Sequence, residues 1–332
     1  MVDFIDFTLF DIFWKNNDIY LVLSINNEEV NENDLNVSVN NINLVLKKKI
    51  IKKEKWSVCE PVLIFIYDDN NFNENELLVN ITYKYKPIPF NYSKKIEKFC
   101  TKYNSNLLCL TTLFKDDYDL FPNYYKYYKK QGVQHFFMYY NGLLNDKIKE
   151  IFNYDDVTLI EWDFRYWNDK EKHKYKHHAQ PGQMHHALYK YGKDNYKYMI
   201  FNDLDEYLFI PNIKLIDYIK SKSNVTVFGF KNIWAETYDG NKEIQESLYV
   251  DKILDYPNRS KNIYMTSAIE TLYIHKPDKM LVEGKKNIRD LNNIVYHFSS
   301  WTGGHGVIAD GGKKREYKKF NNLRKINLDF LN

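Results

Sequence analysis

The stretch "YMIFNDLDEYLFIP", Tyr198 to Pro211, runs an apolar, strand-like segment into Asn202-Asp203-Leu204-Asp205-Glu206 and then resumes an apolar run. Acidic side chains are rarely buried unless they are paired or bind a metal. In an extended segment alternate side chains share a face. Asp203 and Asp205 are therefore expected on one face, with Leu204 and Glu206 on the other. Two carboxylates at the end of a buried strand suit a hard divalent cation, Mn²⁺ or Mg²⁺. Such an ion takes one or two carboxylate oxygens and keeps positions for phosphate. Glu206 is expected to brace the loop through a hydrogen bond.

Strand and helix alternate on either side of this stretch. "NLLCLTTLF" (106–114), "VQHFFMYYN" (133–141) and "VTLIEWDF" (157–164) read as strands. "FPNYYKYYKKQG" (121–132) reads as a helix, with a proline near its start and Gly132 at its end. "NDKIKEIFNY" (145–154) reads as a helix capped by Asn145. "QMHHALYKYG" (183–192) reads as a helix ending at glycine, and "IKLIDYIKSK" followed by "VTVFGFKNIWAE" adds a helix and a strand. The fold class expected is α/β, with a mostly parallel sheet covered on both faces and ligands at the carboxyl ends of its strands.

Residues 1–95 read differently. "DIYLVLSI", "INLVLKKKI", "PVLIFIY" and "ELLVNITYKY" are short β-rich runs separated by Asn, Asp and Glu clusters, the pattern of a β-sandwich. "KPIPFNYS" carries two prolines and places a boundary near 87–100. The expected organisation is an all-β accessory domain over 1–95 and an α/β catalytic domain over 100–332.

Composition narrows the class. A net charge of +3 gives no field suited to nucleic acid. The 29 tyrosines, with abundant Asn, Lys and Ile, point to an AT-rich genome such as that of a large DNA virus or a protist. Cys59, Cys100 and Cys109 have no metal-binding spacing and read as reduced thiols. No run of about 18 apolar residues is present, and the N-terminus lacks the basic start of a signal peptide. A soluble, cytoplasmic protein is expected, in an infected host cell if the genome is viral; otherwise a targeting segment lies outside this sequence.

The segment "FKDDYDLFPNYYKYYKKQGVQHFFMYYNG", followed by "GQMHHALYKYGKDNYKYMIFNDLDEYLFIP", resembles the GT-A glycosyltransferases of family 92 and related family-2-type enzymes. The resemblance covers 107–212 closely and 213–301 loosely. It implies a GT-A fold and inverting transfer of a hexosyl or N-acetylhexosaminyl group. The donor implied is a nucleotide sugar, UDP-linked, used with Mn²⁺ or Mg²⁺, and the acceptor a glycan or protein. Carried over by residue, Asp203 and Asp205 match the metal and diphosphate motif. Lys115 matches the basic residue after the first strand. Asn141 matches the strand end beside the nucleotide, although Tyr140 stands where the family often has Asp. Gln183 matches the Gln before the helix near the donor sugar. Thr111 on the first strand and His185 join these as donor-binding candidates.

Inversion requires a carboxylate to take the acceptor's proton. Glu236 and Asp239 in "NIWAETYDG" are the candidates. His297 in "YHFSSW" is the candidate third metal ligand, with His305 as its substitute. Lys313 and Lys314 in a Gly-rich tail could close over a diphosphate. "HKYKHHAQPGQMHH" holds five of the nine histidines without a tetrahedral zinc spacing. Glu270 and His275 are lesser candidates. Two rival readings stand beside this one. The first is a metal-dependent phosphoryl or nucleotidyl transferase with Asp163 as a third carboxylate. The second is a non-catalytic carbohydrate-binding or structural protein. A homodimer through the N-terminal domain is also open.

Overall fold

The computed structural model describes residues 2–3, 7–25, 34–52, 59–69, 72–84, 90–99, 106–167, 176–251, 256–282, 287–298, 301 and 323–328. The chain is mixed α/β, built mostly of strands in large mixed sheets. It divides into two compact units, Met1–Asn104 with Phe164–Tyr191, and Ser105–Asp163 with Gly192–Asn332.

The first unit holds β1 (Val2–Asp3), β2 (Phe7–Lys15), β3 (Asp18–Ile25), β4 (Leu35–Val39), β5 (Ile42–Asn43), β6 (Leu46–Lys52), β7 (Val62–Asp68), β8 (Glu76–Tyr83) and β9 (Phe90–Phe99). The strand order is β5-β4-β8-β9-β2-β3-β7-β6, with β1 on β2. Every pairing is antiparallel except β2 with β9, a parallel joint of two residue pairs, Trp14 with Lys98 and Lys15 with Phe99. Residues on either side of that joint share one core, Trp14, Leu21 and Phe65 with Val37, Leu77 and Val79. Buried residues alternate along β8, as the two-residue period of a one-face-buried strand requires.

Two boundaries differ from expectation. β9 runs through the segment read as a linker, so the all-β part extends beyond residue 95. Residues Phe164–Tyr191, expected in the catalytic domain, pack with the first unit. The reason is a set of buried charges. Asp11 on β2 accepts from His186 Nε2 at 2.8 Å and Lys190 Nζ at 2.8 Å, and also pairs with Lys94 on β9. Burial would raise the Asp11 carboxyl, but Lys190, His186 and Lys94 hold it well below the usual range. Burial lowers His186 to about 4, so it gives Asp11 a neutral N–H. A second tie joins Glu60, buried beside β7, to His178 Nδ1 and Ser24 Oγ. The helix of this segment spans Ala179–His186 and so starts before the expected 183. Pro181 is tolerated in its first turn. Gly182 lets the helix lie against Phe10, where a Cβ would come within 2.2 Å of the ring.

The second unit holds β10 (Asn106–Phe114), β11 (His135–Tyr140), β12 (Val157–Glu161), β13 (Tyr196–Phe201), β14 (Glu206–Phe209), β15 (Val227–Thr237), β16 (Ser247–Asp251), β17 (Tyr256–Met265), β18 (Ile269–Tyr273), β19 (Lys276–Met280), β20 (Asn287–His297) and β21 (Leu323–Asn327). The main path is β12-β11-β10-β13-β17-β15-β16-β21, with β20 beside β15 and β14 on β20. β12, β11, β10 and β13 are mutually parallel. Beyond β13 every pairing is antiparallel except β15 with β20, so the expected mostly parallel sheet is in fact mixed. Parallel neighbours need long crossovers, usually helical. Past β13 the described residues supply one short α-helix, Leu215–Ser221.

The helix Phe121–Lys130 has its proline in the first turn, as expected. It ends with Val133 N donating to Tyr128 O and Gly132 N donating to Lys129 O, the paired bonds of a Schellman stop. Gly132 sits at φ +92°, and a Cβ there would lie 2.4 Å from Ile216 Cγ2. Asn145 caps the helix Asp146–Ile151 by accepting from Ile148 N at 3.0 Å. Among the described residues no helix is long and apolar enough to cross a membrane.

Candidate active site

β13 and β14 are joined by the acidic residues, which form a tight turn and not an extended strand end. Glu206 N donates to Asp203 O at 3.2 Å, the closure of a four-residue turn. Asp203 N donates to Glu206 Oε2 at 3.0 Å, so Glu206 does brace the loop. The expectation that Glu206 points away from Asp203 does not hold. Both carboxylates meet the ammonium of Lys261 on β17, with Nζ 2.8 Å from Asp203 Oδ2 and 2.7 Å from Glu206 Oε2. Period-two alternation applies only to extended backbone, and the turn breaks it.

The far side of the turn is fixed by strand pairing. β14 runs antiparallel to β20 with Glu206 opposite His297, and Phe298 N donates to Asp205 O at 2.8 Å. β20 in turn runs parallel to β15 with His297 opposite Trp234. The His297 ring lies against the Trp234 ring at 4.4 Å, with Nδ1 3.3 Å from Asn232 Oδ1 and 3.5 Å from Glu206 Oε1. Its Nε2 is 3.5 Å from Asp205 Oδ2. Pairing of residues 91 positions apart in sequence thus brings the imidazole to the second aspartate.

Helix Phe121–Lys130 completes the support. Among the described residues β14 pairs only with β20, and tyrosine hydroxyls satisfy its other edge. Tyr128 Oη donates to Glu206 O at 2.9 Å and accepts from Leu208 N at 2.9 Å and from Asn202 Nδ2. Tyr127 Oη donates to Leu208 O at 2.8 Å.

The charges shape one another. Burial acts to raise the Asp203 carboxyl, but the Lys261 ammonium outweighs it and holds Asp203 below its usual value. Glu206 is raised, chiefly by burial and by its acidic neighbours, against the pull of Lys261. Lys261 is raised by Asp203 and Glu206 despite its burial. His297 is likewise raised by Asp205 and Glu206 in spite of burial. Asp117, in the loop after β10, is pushed up to about 6 by burial and by the fields of Asp205 and Asp203.

The remaining candidates sort by what they touch. On β15, Glu236 falls two residues beyond Trp234, and alternation places it on the face that carries Asn232, Trp234 and thus His297. Asp239 is exposed and committed to its own loop, accepting from Asn241 N at 2.9 Å and from Gln245 Nε2 at 2.6 Å. Those bonds lower its carboxyl and make it a poorer base. Lys115 is exposed at the end of β10, and its N–H donates to Asp117 Oδ1 at 3.2 Å. Thr111 Oγ1 donates to Phe137 O at 2.9 Å, and Asn141 Nδ2 donates to Trp162 O at 2.9 Å; both side chains are buried and hold sheet strands together. Gln183 and His185 fall in the first unit. Both are buried there, and His185 Nδ1 pairs with Pro181 O at 2.7 Å.

Glu270 pairs with Lys279 across the β18–β19 hairpin, and His275 O accepts from Asn262 Nδ2 at 2.8 Å. Asp163 follows β12, which stands three strands from β13, about 14 Å at ordinary strand spacing. It is not the neighbouring carboxylate that a phosphoryl-transfer site would need. His305, Lys313 and Lys314 lie outside the described residues. Among the described residues no group of three or more His, Cys, Asp or Glu is arranged around a common metal position.

Sequence reasoning missed Lys261, Asp117 and Tyr128. Asp117 stood in the quoted "FKDDYD" segment, and Lys261 was signalled only by a lone lysine inside the β-rich run "KNIYM". Nothing local marks Tyr128 among 29 tyrosines.

The acidic turn follows the last strand of the parallel set and leads into a strand paired antiparallel with β20. The family model described as glycosyltransferase family 92 matches residues 105–329, more than half of the chain, and the chain belongs to that family. It is a glycosyltransferase, and so uses a sugar donor and an acceptor. No curated protein matches it.

Proposed function

We propose that this glycosyltransferase transfers a hexosyl or N-acetylhexosaminyl group from a UDP-sugar to a glycan or protein acceptor, with inversion and with a divalent cation. The reading has a GT-A-type core, supported by the four parallel strands and the acidic turn that follows β13. The strand-rich first unit, of sandwich type, would present the acceptor or mediate pairing of two copies. The observation that carries the reading is the placement of Asp205 Oδ2 3.5 Å from His297 Nε2 inside the segment that matches family 92.

The donor set fits a cation. Two ligands each about 2.1 Å from one ion stand roughly 3–3.5 Å apart. A carboxylate with an imidazole favours Mn²⁺ over Mg²⁺, because Mg²⁺ prefers oxygen alone. Two protein ligands leave the remaining positions for water and diphosphate oxygens. When bound, the ion supplies positive charge for the departing nucleoside diphosphate. Lys115, exposed beyond β10, adds charge for the same group. Glu236 takes the acceptor hydroxyl proton as the anomeric carbon becomes oxocarbenium-like.

A panel of nucleotide sugars with Mn²⁺, scored for binding and slow donor hydrolysis, tests the proposal. One donor should give a signal that Asp205→Asn removes. No binding to any donor at millimolar concentration would overturn it. Glu236→Gln should slow transfer by about 100-fold or more and leave UDP affinity intact. Loss of UDP affinity instead would remove Glu236 from the role of base.

A further inference from the structure

We propose that Lys261 is the positioning cation of the acidic turn: its ammonium keeps Asp203 off the metal and leaves the ion to Asp205 and His297. This rests on the cation reading above and assigns a different job to each aspartate of the Asp-Leu-Asp pair.

Lys261 is 2% exposed, and its Nζ meets Asp203 Oδ2 at 2.8 Å and Glu206 Oε2 at 2.7 Å, both lengths of charge-assisted bonds. Glu206 is equally buried, so this is a desolvated ion pair and not a surface contact. Lys261 comes from β17, where the residues on either side of it in register, Phe230 opposite and Ile263 two along, are core. An inward lysine at such a position is retained only with full pairing. Asp203, Glu206 and Lys261 then form a set that also holds the backbone, because Glu206 Oε2 accepts Asp203 N at 3.0 Å, and Glu206 Oε1 links it to His297 Nδ1 at 3.5 Å. The turn presents three carboxylates, and one ammonium cancels one of them. Asp205 faces His297 instead, its Oδ2 3.5 Å from Nε2. The carboxylate directed to an ion is thus the second aspartate, while the first orients the turn.

The test is Mn²⁺ binding measured by electron paramagnetic resonance and calorimetry on the full chain without donor, beside donor turnover. Asp205→Asn should weaken Mn²⁺ binding by more than about 100-fold, and Asp203→Asn by less than about 10-fold, because only the former loses a ligand. Equal losses in the two variants place Asp203 on the ion and overturn the proposal. Lys261→Met frees Asp203 to chelate, so Mn²⁺ should bind about 10-fold tighter while turnover falls at least 10-fold. A merely structural lysine would weaken both together. If Lys261→Met does not fold, the double variant Glu206→Gln/Lys261→Met, with its buried partner also neutral, carries the same comparison. Unchanged Mn²⁺ affinity in a folded lysine variant overturns the role of Lys261 alone. Absence of Mn²⁺ binding in the wild-type protein overturns the cation reading and this role with it.

Discussion

Replacing Tyr128 by phenylalanine removes one oxygen atom and leaves the ring packed against Tyr124 and Tyr207. That oxygen uses its whole capacity, one donated and two accepted hydrogen bonds. Its loss orphans the Leu208 N–H on the open edge of β14, while the Glu206 carbonyl keeps Asn202 Nδ2 at 3.0 Å. An orphaned buried backbone N–H costs about 1–3 kcal/mol, so Tyr128→Phe should destabilise the second unit by about 2 kcal/mol. Tyr127→Phe is the matched control. It removes a single bond, to Leu208 O, and should cost about 1 kcal/mol. Urea unfolding of the two variants beside wild type gives the difference. Amide exchange at Leu208 gives a local reading, expected to quicken about 30-fold for a loss of about 2 kcal/mol. A Tyr128→Phe protein within 0.5 kcal/mol of Tyr127→Phe, with Leu208 exchange unchanged, would refute the claim that tyrosine hydroxyls close this strand edge.

Asp117 yields a stability test in metal-free protein. Its folded-state carboxyl, raised to about 6, binds a proton more readily than in the unfolded chain, so its contribution is lost as pH rises from about 4 to 6. Asp117→Asn should flatten that fall in Tm, and identical pH profiles would exclude Asp117 as its source. His297, raised by Asp205 and Glu206, holds a proton that must leave before the ring can bind metal. Mn²⁺ affinity should therefore drop as pH falls, and His297→Gln should reduce that slope in a calorimetric titration. Gly132→Ala should cost more than about 1 kcal/mol, because the residue sits at φ +92° against Ile216; a chemical denaturation midpoint equal to wild type would contradict this. Asp239→Asn should leave transfer within about twofold, since a loop-bound acid with a lowered pKa is a weak base; a 100-fold loss would return Asp239 to the chemistry.

The sequence alone determined whatever depends on near neighbours along the chain. Apolar runs of strand length fixed β3, β7, β10 and β11, and Pro122, Gly132 and Asn145 marked helix ends through φ restriction, positive φ and a capping oxygen. The ordered motifs from Phe114 to Pro211 were enough to point to the family, because they follow one another at short, fixed separations. Tertiary structure decided what depends on distant partners. β2 was obscured by its two charges, Asp11 and Lys15, until His186 and Lys190 answered Asp11 and the Tyr189 carbonyl accepted from Lys15. For the same reason Phe164–Tyr191 left the catalytic unit for the first one. The mixed sheet arose because pairing direction follows the connections and not the strand's own residues. At the candidate site, the Asp-Leu-Asp stretch was legible as acidic but not as divided. Its two aspartates take different partners only because β17 brings Lys261 to one and β20 brings His297 to the other. No local pattern encodes those contacts, since each joins residues more than fifty positions apart.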